Sequence, residues 1–149
     1  MNSLNDFSFE ESQSLFLSGQ VKFLSFSDIY KCVKSKMEFD CFEKGHKALA
    51  NEMCLIICEV LKLPPMALVR ISRNDIPAEM VSDVFLYLTH EHIEFVIEKF
   101  KNITYEIKNK KTYLRTALYN SVFELETHYE NKGNIKNDKR EKNKIGEIA

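Results

Sequence analysis

The stretch from Lys47 to Leu63 constrains the fold more than any other part of this chain. Its run Met53-Cys54-Leu55-Ile56-Ile57-Cys58 contains no polar side chain, and Glu52, Glu59 and Lys62 supply nearly all of the polar face around it. A helix that is apolar almost all round belongs in the middle of a bundle, because no side of it is suited to water. A buried strand can carry the same six-residue run, but the length of the pattern argues for a helix. Pro64-Pro65 ends it, since neither proline has an N–H to give and the residue before a proline avoids the α region.

The other segments read as helices that surround this one. Ser8-Phe9-Glu10-Glu11 fits a capping box, and a short helix from there reaches towards Gly19. Ser25-Phe26-Ser27-Asp28 opens a second helix, which Ile29, Val33 and Met37 continue at i, i+4, i+8; Phe39 to Gly45 is a break. Leu68-Val69-Arg70-Ile71 reads as a short extended piece before the polar turn Ser72-Arg73-Asn74-Asp75. Pro77 and Glu79 suit the start of a helix striped by Val81, Val84, Phe85 and Leu88. Two more amphipathic helices follow. Ile93, Val96, Ile97 and Phe100 form the stripe of one, and Leu114, Ala117, Leu118, Ser121, Val122 and Leu125 that of the other. With only Asn102-Ile103-Thr104 read as the turn, and Thr104 as a candidate N-cap, the two are expected to pack as a helical hairpin. The organisation expected is a poorly defined N-terminal segment at 1–24, a helical domain at 25–130, and a basic, disordered tail at 131–149 beyond a stop at Gly133. The fold class expected is all-α, a compact bundle of five or six helices with at most a short extended piece near 68–71. Only four glycines and three prolines in 149 residues favour helices with short connections.

Composition excludes several classes of function. No apolar run approaches the ~20 residues that span a bilayer, and the acidic start MNSLNDFSFEE lacks the basic and apolar regions of a signal peptide. Cys32, Cys41, Cys54 and Cys58 sit among apolar residues without a CxxC pair, so they read as structural thiols of a cytoplasmic protein, with a zinc site as the remote alternative. No glycine-rich phosphate loop, GxSxG or HExxH occurs, and no catalytic residue, cofactor or metal ligand is assigned. His90-Glu91-His92 is the one tempting cluster, but i and i+2 on a helix point about 200° apart, so these histidines read as solvated helix-start residues.

Charge is more informative than its net value of −1. Residues 99–115 hold Lys99, Lys101, Lys108, Lys110, Lys111 and Arg115 against Glu106 alone, and six bases meet three acids from Asn131 onward. On a helix over 107–129, Lys108, Arg115 and Tyr119 share one flank and Lys110 lies on the opposite shoulder. Lys111 falls near the buried line, where a first-turn side chain can swing out. Lysines at a helix start oppose the macrodipole, and a phosphate would relieve them. The candidate nucleic-acid-binding set is therefore Lys108, Lys110, Lys111, Tyr113, Arg115 and Tyr119, weighed against a merely solvated face.

Residue order adds a resemblance. Arg70-Ile71 before a polar turn, Pro77-Ala78-Glu79-Met80-Val81, His92-Ile93-Glu94-Phe95-Val96, Lys108-Asn109-Lys110-Lys111, Tyr113-Leu114 and Ala117-Leu118-Tyr119-Asn120 recur in that order. Together they resemble the C-terminal domain of the replication initiator A proteins of Firmicute plasmids and integrative elements, a domain DnaD-like in character. The likeness runs over roughly residues 47–130, and the origin-binding winged helix of such initiators is absent. The resemblance implies a non-catalytic replication module that contacts a host primase, helicase or helicase loader. It also implies weak DNA binding through the helix around Tyr113 and the basic tail. The alternative is a structural or oligomerising helical domain with no role on nucleic acid.

Overall fold

A computed structural model describes the backbone of residues 7–148, with side chains described to His128 and at Glu130. Among these residues the elements are α1 (Phe9–Leu17), α2 (Phe26–Lys36), α3 (Lys47–Lys62), β1 (Leu68–Ile71), β2 (Asn74–Pro77), α4 (Ala78–Phe85), α5 (His90–Lys101) and α6 (Lys110–Ile148). The domain is mostly helical but not purely so. The extended piece at 68–71 has a partner strand that the sequence does not announce.

α3 is the centre. Ala50, Met53, Cys54, Ile56, Ile57, Cys58, Val60 and Leu61 are all buried along it, and α2, α4, α5 and α6 each pack on it. Burying side chains of this size stabilises the fold by roughly 1.5–3 kcal/mol each before chain entropy is subtracted. Glu52, Leu55, Glu59 and Lys62 remain exposed on one strip of the helix. The helix stops where Pro64 and Pro65 follow, and Leu63 is already extended.

The N-terminal helices are set by their caps. The Ser8 hydroxyl accepts from the Glu11 N–H at 3.2 Å, and the Ser25 hydroxyl from that of Asp28 at 3.1 Å. α2 buries Ile29, Cys32 and Val33, with Met37 just past its end, while α1 buries Phe16 and packs on α2. The packed unit therefore reaches back beyond residue 25.

The hairpin pairs Leu68 with Pro77, Val69 with Ile76, Arg70 with Asp75 and Ile71 with Asn74, antiparallel. Its two turn residues, Ser72 (φ 50°) and Arg73 (φ 71°), both lie in the left-handed region. That is the backbone of a primed two-residue turn, normally written with Asn and Gly. Here neither residue is glycine, which hides the hairpin from sequence reading. α6 holds the turn in place: the Ser72 N–H donates to Thr116 Oγ1 and Arg115 Nε donates to the Arg70 carbonyl, both at 3.3 Å. An Arg70–Asp75 ion pair at 3.2 Å crosses the strands.

α5 and α6 pack on each other as expected, burying Ile93, Val96 and Ile97 against Leu114, Leu118 and Leu125. Their connection differs from the expected short turn. It runs from Asn102 to Asn109, and α6 begins at Lys110 rather than near 107. Thr104 is not its N-cap. Asn109 fills that role, with Oδ1 accepting from the Thr112 N–H at 3.0 Å and its carbonyl from the Tyr113 N–H at 3.0 Å. The β-branched and aromatic run Ile103-Thr104-Tyr105 favours extended backbone, which delays the helix. At its other end the helical backbone continues through Gly133 to Ile148, past the expected stop. Among the described residues no helix is long and apolar enough to cross a membrane.

Two substitutions check this account. Asn109→Ala should lower stability by about 1 kcal/mol while Thr104→Ala stays within about 0.5 kcal/mol, measured as the urea midpoint; the reverse order would return the N-cap to Thr104. Arg73→Gly should raise stability by about 1 kcal/mol, because a left-handed L-residue costs about 1–2 kcal/mol and glycine only its extra chain entropy. An unchanged or lower midpoint would mean that the turn is not under this strain.

Candidate interaction groove

The exposed strip of α3, the first turns of α6 and the outer edge of the hairpin enclose two adjoining hollows. One, of about 330 Å³, has Ile56, Val60, Leu63, Leu68 and Val69 as its apolar lining, with Glu59, Arg70, Asp75, Lys111 and Arg115 as its polar residues. The other, of about 310 Å³, lies between Glu52, Leu55, Ile56 and Glu59 of α3 and Lys110, Lys111 and Leu114 of α6. Shared walls at Ile56, Glu59 and Lys111 make them one groove with an apolar floor and a charged rim.

Within the candidate basic set, the structure brings Lys110, Lys111 and Arg115 to this groove and separates the rest. Lys110 pairs with Glu52 at 2.8 Å, and Lys111 with Glu59 at 2.7 Å. The two carboxylates thus supply the negative charge that the α6 N-terminus and its lysines favour, and that the sequence reading left to a phosphate. Arg115 is half-buried and donates to the hairpin. Lys108 lies in the connection before the helix, exposed, so it does not share a helical flank with Arg115 and Tyr119 as expected from a helix over 107–129. Tyr113 is half-buried with its ring centroid 6.1 Å from that of Phe100, and burial holds its hydroxyl above the usual tyrosine pKa. Tyr119 packs its ring 5.7 Å from that of Phe123. Each of these rings already has one aromatic neighbour.

The histidines also depart from expectation. His90 and His92 are not solvated. His90 stacks on Phe42 with centroids 4.1 Å apart and donates from Nδ1 to the Met37 carbonyl at 2.8 Å. His92 Nδ1 accepts from the Thr89 N–H at 3.0 Å, closing the start of α5, and burial lowers its pKa. Of the cysteines, Cys32, Cys54 and Cys58 are buried and free, and burial raises Cys54 to about 11 and Cys58 to about 12, so neither is a ready thiolate. Cys41 is exposed.

Residues that the sequence reading passed over are Glu52, Leu55, Glu59 and Leu68. The first three were visible as one edge of α3, spaced 3 and 4 apart with a leucine among acids. The lysines that pair with that edge were not visible, because they come from α6, more than fifty positions later. The ion pairs themselves are about half exposed. A double-mutant cycle on Lys111 and Glu59 should therefore give a coupling of only about 0.2–1 kcal/mol, falling as salt rises. A coupling several times larger, or one indifferent to salt, would mean the groove excludes water far better than its geometry indicates.

No curated protein and no solved structure matches this chain. One family model, described as a family of unknown function (DUF6017), matches residues 20–139, a span that takes in α2 to α5, the hairpin and most of α6. The chain belongs to this family.

Proposed function

We propose that the protein is a non-catalytic interaction module that seats an amphipathic segment of a partner protein in the groove between α3, the hairpin and α6. The observation that carries this reading is the exposed apolar lining. Leu55, Leu63 and Leu68, which line the groove, are 37%, 40% and 65% exposed. Apolar side chains left together in a hollow, rimmed by charge, have the composition of a helix-binding groove. The rim charges are already matched, Glu52 with Lys110, Glu59 with Lys111 and Arg70 with Asp75. A partner that inserts apolar anchors leaves these pairs intact. A phosphate backbone would have to pull the lysines from their carboxylates.

The resemblance to replication initiator domains supplies the partner class: a host primase, helicase or helicase loader. Weak DNA contact is the lesser part of the proposal, resting on Lys108, Arg115 and the basic residues from Lys132 onward, whose side chains lie outside the described residues. With so few phosphate contacts, affinity would sit in the non-specific range of ~10⁻⁴–10⁻⁶ M and fall steeply with salt.

The reading is checked with purified Firmicute primase, helicase and loader, each titrated against the chain and against a Leu55→Asp, Leu68→Asp double variant. Binding to one of the three that the variant loses is the expected result; binding to none, or equal binding by the variant, overturns the groove. Sedimentation of the chain alone distinguishes the structural alternative, in which a self-dimer is what the variant loses. Anisotropy with labelled single strands at about 50 and 200 mM salt tests the DNA component, which fails if nothing binds at the lower salt.

A further inference from the structure

A second cluster of titratable groups lies away from the groove, where the turn ahead of α3 meets α5. His46 is buried, 4% exposed. Its Nδ1 faces Glu94 Oε2 at 3.2 Å, yet outside hydrogen-bonding geometry, and no other group among the described residues satisfies that buried atom. Glu98 follows Glu94 by one helical turn on α5. Donor atoms of His46, Glu94 and Glu98 all come within 4.8 Å of one another.

His90 borders the cluster. Its Nδ1 donates to the Met37 carbonyl at 2.8 Å, and its Nε2 lies 3.8 Å from Glu94 Oε1.

We propose that His46 Nδ1 and the carboxylates of Glu94 and Glu98 bind one divalent transition-metal ion, of the zinc or manganese class. One imidazole and two carboxylates form a nitrogen–oxygen donor set that suits such ions, and two negative charges match the ion's two positive ones. The geometry leaves at least one coordination position open to water or to a partner's side chain. Lys101 is the competing group. Its Nζ hydrogen-bonds His46 Nε2. Metal on Nδ1 moves the ring proton to Nε2, which can then no longer accept, and the exposed Lys101 side chain turns to solvent.

The test uses the full chain stripped with chelator and titrated with ZnCl2 and with MnCl2 by calorimetry, alongside thermal melts. His46 is too buried for a clean substitution, so Glu94→Gln and Glu98→Gln carry the test, with the exposed Glu79→Gln on α4 as control. One ion should bind and raise Tm, reversibly with EDTA. Each ligand variant should lose about 10–100-fold in affinity, since removing a ligand costs no less than removing an outer-shell partner, while the control is unchanged. Lys101→Met should bind more tightly than the unmodified chain. Co²⁺ should give d–d absorption without a thiolate charge-transfer band, which separates this site from the cysteines. Absence of binding by both ions, an affinity in Glu94→Gln or Glu98→Gln equal to that of the unmodified chain, or a thiolate band would each overturn the assignment.

Discussion

The burial of α3 on nearly all its sides is the constraint on which everything else depends. Met53, Cys54, Ile57 and Cys58 are wholly or almost wholly removed from water. A helix that presents apolar side chains in most directions needs a neighbour in each of those directions, and α2, α4, α5 and α6 are those neighbours. One strip escapes. Glu52, Leu55, Glu59 and Lys62 face outward, and the functional reading follows from that exception, since the groove lies where α3 is not covered.

The hairpin is a small element held by something larger. Two strands of four residues are marginal on their own in water, and this pair also carries two left-handed residues that are not glycine. Its stability is borrowed from its packing: Val69 and Ile71 are buried beneath it, and α6 bonds to its turn through Thr116 and Arg115. In return the hairpin forms the wall that turns the side of α3 into a groove. Arg115 thus works first as a structural donor to the hairpin, and its position in a basic segment is secondary.

Counting charges along the chain leaves out the partners of the α6 lysines for a general reason. The excess over residues 99–115 is real, but interaction energy depends on distance in space, and the nearest carboxylates to Lys110 and Lys111 belong to α3, more than fifty residues earlier. The same rule operates in the opposite direction at His46. Nothing in the sequence around it marks a site, yet folding carries Glu94 and Glu98 to it from the other half of the chain.

The sequence by itself determined whatever depends on neighbours within about one helical turn. Apolar periodicity placed α2, α3, α4, α5 and the inner stripe of α6, the serines at 8 and 25 marked two helix starts, and Pro64-Pro65 marked a stop. Such features are legible because capping bonds and 3.6-residue spacing are local. The tertiary structure decided the rest. It paired β2 with β1 across a turn whose residues carry no hairpin signal, and it moved the start of α6 to Lys110, capped by Asn109. It also gave His90 and His92 structural partners, matched Lys110 and Lys111 with glutamates of α3, and left Leu55 and Leu68 exposed in adjoining hollows. Each of these rests on contacts between residues distant in the chain, where one sequence holds no record of which surfaces meet.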